Sequence, residues 1–371
     1  MDWTRRTRIA TLGTVFLSCT CGGRSGLLRN NPNESSGPGG FAGVGPIGFG
    51  LPGGINGSAG VGGEDSTGGS GGSSGLSGGA HPIAEFPMPT WQSDPIDIAA
   101  GPDGNLWFTE MQANKIGCIT TDGVVSEFPV PTGSCSPYGI TSGPDGNLWF
   151  TELTGARVGR ITTAGVIKEY KLPGDLKGPI GITLGPDGNL WLTGTTGNDV
   201  GYLVPGGSIG YFPVPTPTSG LEQITAGPDG NLWFSESDGN RIGRVSIDGT
   251  ISEFALPKPN SGLAGIAAGS DGNLWFVESI GKKIGRITPT GEITEFPIPA
   301  KNSSPARIVS GPDGNLWFTD AGAIGRITPT GAITLFPISV SGNCPGDIAI
   351  GPDGNIWFTD VGTKAIGRMT L

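Results

Sequence analysis

The chain has 371 residues, with 22 lysines and arginines against 32 aspartates and glutamates, and a single histidine. Its formal net charge of −10 argues against nucleic acid, whose phosphates demand a positive surface, and favours neutral or cationic partners. No glycine-rich phosphate loop, no metal-spaced Cys/His cluster and no nucleophile elbow is present.

At the start, Arg5, Arg6 and Arg8 precede a short apolar run at 9–17, followed by Ser18 and Cys19. The run is too short to span a bilayer and reads as a secretory signal. Phe16-Leu17-Ser18-Cys19 resembles a bacterial lipobox, which predicts a signal peptide over 1–18 and lipidation of Cys19. Ordinary cleavage or a cytosolic start are the alternatives, and Cys21 is the poorer acceptor because Ser18 stands three places before it. Residues 19–81 are rich in Gly and Ser and are expected to be disordered, since they cannot offset the entropy of ordering. As a random coil such a tether reaches roughly 40–50 Å, which would hold the folded part clear of a membrane surface. The expected address is the bacterial cell envelope, outer membrane or periplasm-facing.

From residue 82 to 371 the chain repeats itself. Gly-Pro-Asp-Gly-Asn-Leu-Trp-Phe begins at 101, 143, 185, 227, 269, 311 and 351 with minor lapses such as Ser270 and Leu192: seven copies, five intervals of 42 residues and one of 40. Proline presets the first corner of a turn and glycine supplies the positive φ that closes it. The Leu-Trp-Phe-Thr-Glu that follows is a strand signature, with Leu and Phe on one side and Trp on the other. A strand apolar on both sides must be covered on both sides. The first unit divides into strands near 96–100, 105–110, 115–120 and 125–129. Four antiparallel strands per unit, repeated seven times, predict an all-β, seven-bladed β-propeller.

The ends of the domain predict closure of the ring. Residues 83–87 copy the outermost strand of later units, while the chain stops after the third strand of the seventh unit. The N-terminal strand is therefore expected to complete the last blade. Outermost strands also carry prolines such as Pro87, Pro129 and Pro297, which blunt pairing with a further strand. Cys135 and Cys344 both enter innermost strands at one face, so a Cys135–Cys344 disulfide is conceivable in an exported chain, although blade 1 separates their blades.

Gly-Pro-Asp-Gly-Asn-Leu-Trp-Phe-Thr-Glu, then Lys-Ile-Gly-Arg-Ile-Thr, then Ile-Thr-Glu-Phe-Pro-Ile-Pro resembles the virginiamycin B (streptogramin) lyases over the whole of 82–371. The resemblance implies a seven-bladed propeller. It also implies elimination chemistry that opens a cyclic depsipeptide with Mg²⁺ and histidines at the central mouth. Mapped onto this chain, the histidine positions are Ile96, Tyr138, Ile180, Glu222, Ala264, Ala306 and Gly346. None is histidine, and the chain's one histidine, His81, falls at the tether junction, where an outer strand is expected. An α-proton needs a base within reach, so the base the resemblance implies is missing; Tyr138 and Glu222 are the candidate substitutes.

The carboxylates persist. Glu110, Glu152, Glu236, Glu278, Asp320 and Asp360 end the second strands, with Gly194 at the seventh position. With Asp94 and Glu222 near the innermost-strand starts, they predict an acidic funnel suited to Mg²⁺ or Ca²⁺, which favour oxygen ligands, or to a cationic ligand. The alternative is solvated decoration paired with Lys115, Arg157, Arg241 and Lys283. The aspartates of the Gly-Pro-Asp-Gly turns read as turn formers, and the arginines after Ile-Gly as a structural row. Three readings of function follow. The first is a monomeric, lipid-anchored scaffold or binding module for a small molecule, peptide or glycan. The second is a Mg²⁺-dependent lyase acting on streptogramin B, and hence an antibiotic-resistance enzyme. The third is a Ca²⁺-dependent esterase or lactonase.

Overall fold

The computed structural model of the chain describes residues 81–174 and 176–371. The expected signal peptide, Cys19 and the tether up to residue 80 lie outside the described residues. Seven four-stranded antiparallel sheets form the seven blades. Blade 1 comprises Pro95–Ala100, Leu106–Glu110, Lys115–Ile119 and Val125–Pro129, running from the innermost strand to the outermost. Blades 2 to 6 repeat this over 137–171, 179–213, 221–255, 263–297 and 308–337. Blade 7 takes Pro345–Ile350, Ile356–Asp360 and Ala365–Met369, and its outermost strand is Ile83–Pro87, with Ile83 opposite Met369 and Pro87 opposite Ala365. Ring closure by the N-terminal strand, expected from the missing fourth strand, is what the structure shows.

The repeat forms because its turn fixes its own tryptophan. In blade 1, Gly104 takes φ 79° while the Trp107 indole N–H donates to Asp103 Oδ1 at 3.1 Å. Equivalent bonds of 3.0–3.1 Å hold Trp149, Trp191, Trp233, Trp275, Trp317 and Trp357. The turn aspartates are thus spoken for by the core. Each tryptophan packs on the next blade: Trp107 meets Leu148, Phe150 and Ile161 of blade 2, and Trp357 meets Leu106 and Phe108 of blade 1. Both faces of every blade are apolar for this reason, and burial of these rings is the main stabilising contribution.

The arginine row staples blade to blade. Arg244 lies over Trp233 and Phe254, each ring centre 5.5 Å away, and donates to the Pro289 carbonyl of blade 5 at 3.0 Å. Arg286 reaches Pro329 of blade 6 and Arg368 reaches Thr121 of blade 1 in the same manner.

Candidate functional site

Six of the seven innermost strands open with a bulge, in blade 1 between Pro95 and Ile98. In blades 1 and 2 a second-strand hydroxyl fills it. Thr109 Oγ1 accepts from Asp97 N at 3.2 Å and donates to the Tyr138 carbonyl of blade 2 at 2.6 Å. Thr151 does the same between Gly139 N and the Ile180 carbonyl, at 2.8 and 2.9 Å. The bulge takes in two successive residues of the innermost strand: the positions of Tyr138 and Glu222, and the positions just after them.

Those following positions hold Asp97, Gly139, Gly181, Gln223, Gly265, Arg307 and Asp347. Asp97, Gln223, Arg307 and Asp347 line the central cavity. Arg307, 8% exposed on blade 6, extends across the channel, and the Tyr138 hydroxyl of blade 2 lies within hydrogen-bonding reach of its guanidinium. Its Nε stands 4.0 Å from Asp347 Oδ1. Asp347 Oδ2 accepts from Ile98 N of blade 1 at 3.0 Å, and Asp97 Oδ2 accepts from Ile140 N of blade 2 at 2.9 Å. The two aspartates therefore tie blades 7, 1 and 2 together at the channel.

Burial, and then the Asp347 charge beside it, pushes the Asp97 carboxyl well above the usual range. Burial also raises Tyr138, although Arg307 opposes the shift. For Glu222, burial raises the carboxyl, Arg307 opposes, and Asp238 adds to the rise. Arg307 remains charged because Tyr138, Asp347, Glu222 and Asp97 together outweigh the burial that works against it. Tyr138 and Glu222, singled out in the sequence, do converge, and they converge on Arg307. Arg307, Asp97 and Asp347 escaped the sequence reading because it tested positions one residue too early. The available signal was charge at a position where blades 2, 3 and 5 hold glycine.

The expected acidic funnel is not formed. Glu110, Glu152, Glu236 and Glu278 are each 0% exposed and are absent from the cavity lining. They turn outward within their blades, toward the outermost strand. Glu110 neighbours Lys115 and Glu127, Glu152 neighbours Arg157 and Glu169, and Glu236 neighbours Arg241 and Glu253. No carboxylate oxygen of these four has a hydrogen-bond partner of good geometry. Burial first, and the outer glutamate second, pushes Glu110 up to about 8, Glu152 to about 7 and Glu236 to about 8. Lys115 pairs with Glu127 at 2.5 Å rather than with Glu110. Glu127 in turn accepts from Thr90 N and Oγ1, at 2.9 and 2.6 Å, fixing the loop that enters the blade. Asp320 and Asp360 also face away from the channel. Asp320 Oδ1 accepts from Ser304 N at 2.6 Å and Ala321 N at 2.8 Å, and Asp360 Oδ1 from Cys344 N and Gly362 N, both at 2.9 Å. Asp94 is taken by Lys364.

These acids do not fit Mg²⁺ or Ca²⁺. Each ion needs several oxygens converging on one point, and among the described residues no three His, Cys, Asp or Glu side chains group in that way. The Cys135–Cys344 disulfide is likewise not formed. Cys135 is a buried free thiol beside Glu152, while Cys344, itself disulfide-bonded, lies in the loop entering blade 7, with blade 1 between the two. His81 sits at the outer edge: its Nδ1 is 2.9 Å from the Thr370 carbonyl, and its ring stands edge-on to Phe336 at 4.9 Å.

Known proteins share this frame. The model of the virginiamycin B lyase family matches residues 71–178 and 174–371. A catalytically inactive histidine-to-alanine variant of virginiamycin B lyase from Staphylococcus aureus, solved with quinupristin, is 41% identical; the match covers 79% of this chain and 100% of that one, with a TM-score of 0.75. A streptogramin B lyase structure is 38% identical over 78% of this chain and 97% of that chain, also at a TM-score of 0.75. The extracellular domain of a putative hybrid two-component system from B. thetaiotaomicron, 16% identical over 78% of this chain and 42% of its own, shares the fold alone at a TM-score of 0.62. The chain belongs to the virginiamycin B lyase family.

Proposed function

We propose that this protein is an envelope-tethered binding propeller that keeps the recognition frame of its family without the family's acid–base chemistry. A lipid on Cys19 and the Gly/Ser-rich tether would hold it at the membrane. The observation that carries the reading is the occupancy of the channel mouth. Where an imidazole base would stand, this chain has the Arg307–Tyr138 contact with Asp347 and Asp97 around it. In the S. aureus enzyme a histidine-to-alanine change accompanies loss of catalysis, and the only histidine here is at the outer edge of the ring. Asp97 and Asp347 are committed to backbone amides of neighbouring blades. Tyr138 is raised away from the phenolate a base would need. Such a cluster offers fixed donors and acceptors to a ligand and little general-base capacity.

One feature favours a second reading. Glu222, a carboxylate raised by burial and facing Arg307, is the group available to act as base in a lyase with altered machinery. Incubating the full-length protein with quinupristin and Mg²⁺, and weighing the products by mass spectrometry, separates the two. The expected result is intact antibiotic at the level of a protein-free control. Linearised product that disappears in Glu222→Gln would replace the binding reading with the enzymatic one.

A further inference from the structure

We propose that the chamber inside the ring binds a neutral, polyhydroxylated small molecule of the sugar class, its hydroxyls meeting Asp97, Gln223 and Arg307 at the mouth end and a row of threonines along one wall. The proposal rests on the binding reading and names its ligand. The chamber holds about 370 Å³, within the range of small-molecule sites and enough for one or two sugar rings.

An isoleucine from every blade lines it, and the position after that isoleucine is chemically one-sided. Thr141, Thr183 and Thr225 face it from blades 2, 3 and 4, whereas Ala267, Val309 and Ala349 face it from blades 5, 6 and 7. A pyranose matches that division, with hydroxyls around its edge and a C–H face of low polarity. The polar layer at the mouth end has the same mixed character. Arg307 only donates, the Asp347 oxygens accept, and the Gln223 amide does both. A hydroxyl donates and accepts at once, so neighbouring hydroxyls can bridge such a layer without leaving a buried group unpaired.

Other ligand classes fit less well. An anion would approach Arg307 only alongside Asp347, Asp97 and Glu222. A cation would enter beside the Arg307 guanidinium, with Asp347 already engaged by Arg307 and Ile98 N. A purely apolar molecule would strip water from three threonine hydroxyls and the ionic layer without replacing it.

The test is titration of the full-length protein by calorimetry and saturation-transfer NMR. The neutral probes are glucose, galactose, mannose and N-acetylglucosamine; glucosamine and glucuronate are their charged counterparts. At least one neutral sugar should bind with a Kd of about 1 mM or tighter, and the charged counterparts about tenfold more weakly. Gln223→Ala and Thr183→Val should each weaken that binding about fivefold or more with the melting temperature unchanged. Ala267→Phe, which fills the chamber from its apolar side, should abolish it. No neutral sugar bound at about 10 mM, charged sugars bound equally well, or binding indifferent to Thr183→Val and Ala267→Phe would each overturn the proposal. Absence of sugar binding together with intact quinupristin removes this ligand class and leaves the binding reading standing. Linearised quinupristin removes the reading itself.

Discussion

In blade 2, the corner where the second, third and outermost strands meet holds Glu152, Arg157 and Glu169, and Glu169 grips Thr132 of the incoming loop through two bonds of 2.9 and 3.0 Å. In blade 3 the same corner holds Gly194, Asp199 and Tyr211, and the incoming loop instead drives Leu176 over Gly194 and Gly201. A Cβ on Gly201 would stand 2.4 Å from Leu176 Cδ2, so the glycines are what make room for the plug. Leu176 is 0% exposed and joins the core shared with blade 2. One loop is anchored by charge and hydroxyl, the other by hydrocarbon. Since either filling serves, the outer glutamates Glu127, Glu169 and Glu253 anchor the incoming loops, and Glu110, Glu152, Glu236 and Glu278 lie buried behind the outer strands and form no ring around the axis.

Leu176→Ala should have the largest effect on this contrast. It removes a fully buried side chain from a site whose glycines supply nothing to refill it, and should lower stability by about 2–5 kcal/mol in denaturant unfolding. A loss below about 1 kcal/mol would mean that the hydrocarbon plug does not anchor the loop.

The polar corners should announce themselves through pH. Glu110, Glu152 and Glu236 are raised to about 8, 7 and 8 in the folded protein against 4.5 for the free side chain. Between these values the folded state binds more protons than the unfolded one, so stability falls as pH rises and the contribution is gone above about 8. The turn aspartates work in the opposite sense. Asp145, Asp229 and Asp353 are lowered despite partial burial, by hydrogen bonds from tryptophan and asparagine, and their contribution is lost as pH drops below the usual aspartate range. The melting temperature should therefore peak in mild acid and fall by about 5 °C or more by pH 9. Glu236→Gln should melt higher than the parent at pH 9 and no higher at pH 5. Equal shifts at both pH values would show that ionisation of the corner is not the cause.

The smallest effect belongs to the hydroxyl that fills the bulge of blade 2. Blade 5 has Val277 there, and Gly265 N bonds the Ala306 carbonyl directly at 3.0 Å. Blade 2 has no such direct bond, so Thr151→Val leaves Gly139 N and the Ile180 carbonyl without their bridge and should cost about 1 kcal/mol. A neutral outcome would mean that blade 2 relaxes into the blade 5 arrangement.

The blade count, strand order and closure were legible because they rest on local signals: turn chemistry at a fixed period, and a strand present at one end and absent at the other. Side-chain direction at the ends of strands was not. Glu110 and its equivalents sit where a strand finishes, so sequence position placed them at the mouth face, while the pleat turned them outward. A matching glutamate in the outermost strand, Glu127, Glu169, Glu253 or Glu295, accompanies each of them and is missing from blades 3 and 6. That covariation within one chain was readable and points to the corner. The rest stands one position later, where the bulges of blades 1 and 7 take in Asp97 and Asp347 and blade 6 places Arg307, all of which a single-position comparison passes over.

The strand at 83–87 has its partner at 365–369, almost the full length of the domain away. A polypeptide made from its first residue onward carries this clasp idle through synthesis, while each intervening sheet forms from its immediate neighbours. Latching then falls to the slowest kind of encounter, a meeting of distant segments. It also makes the outermost strand of the last sheet depend on residues 365–369, so trimming those residues would leave 83–87 without its pairing partner.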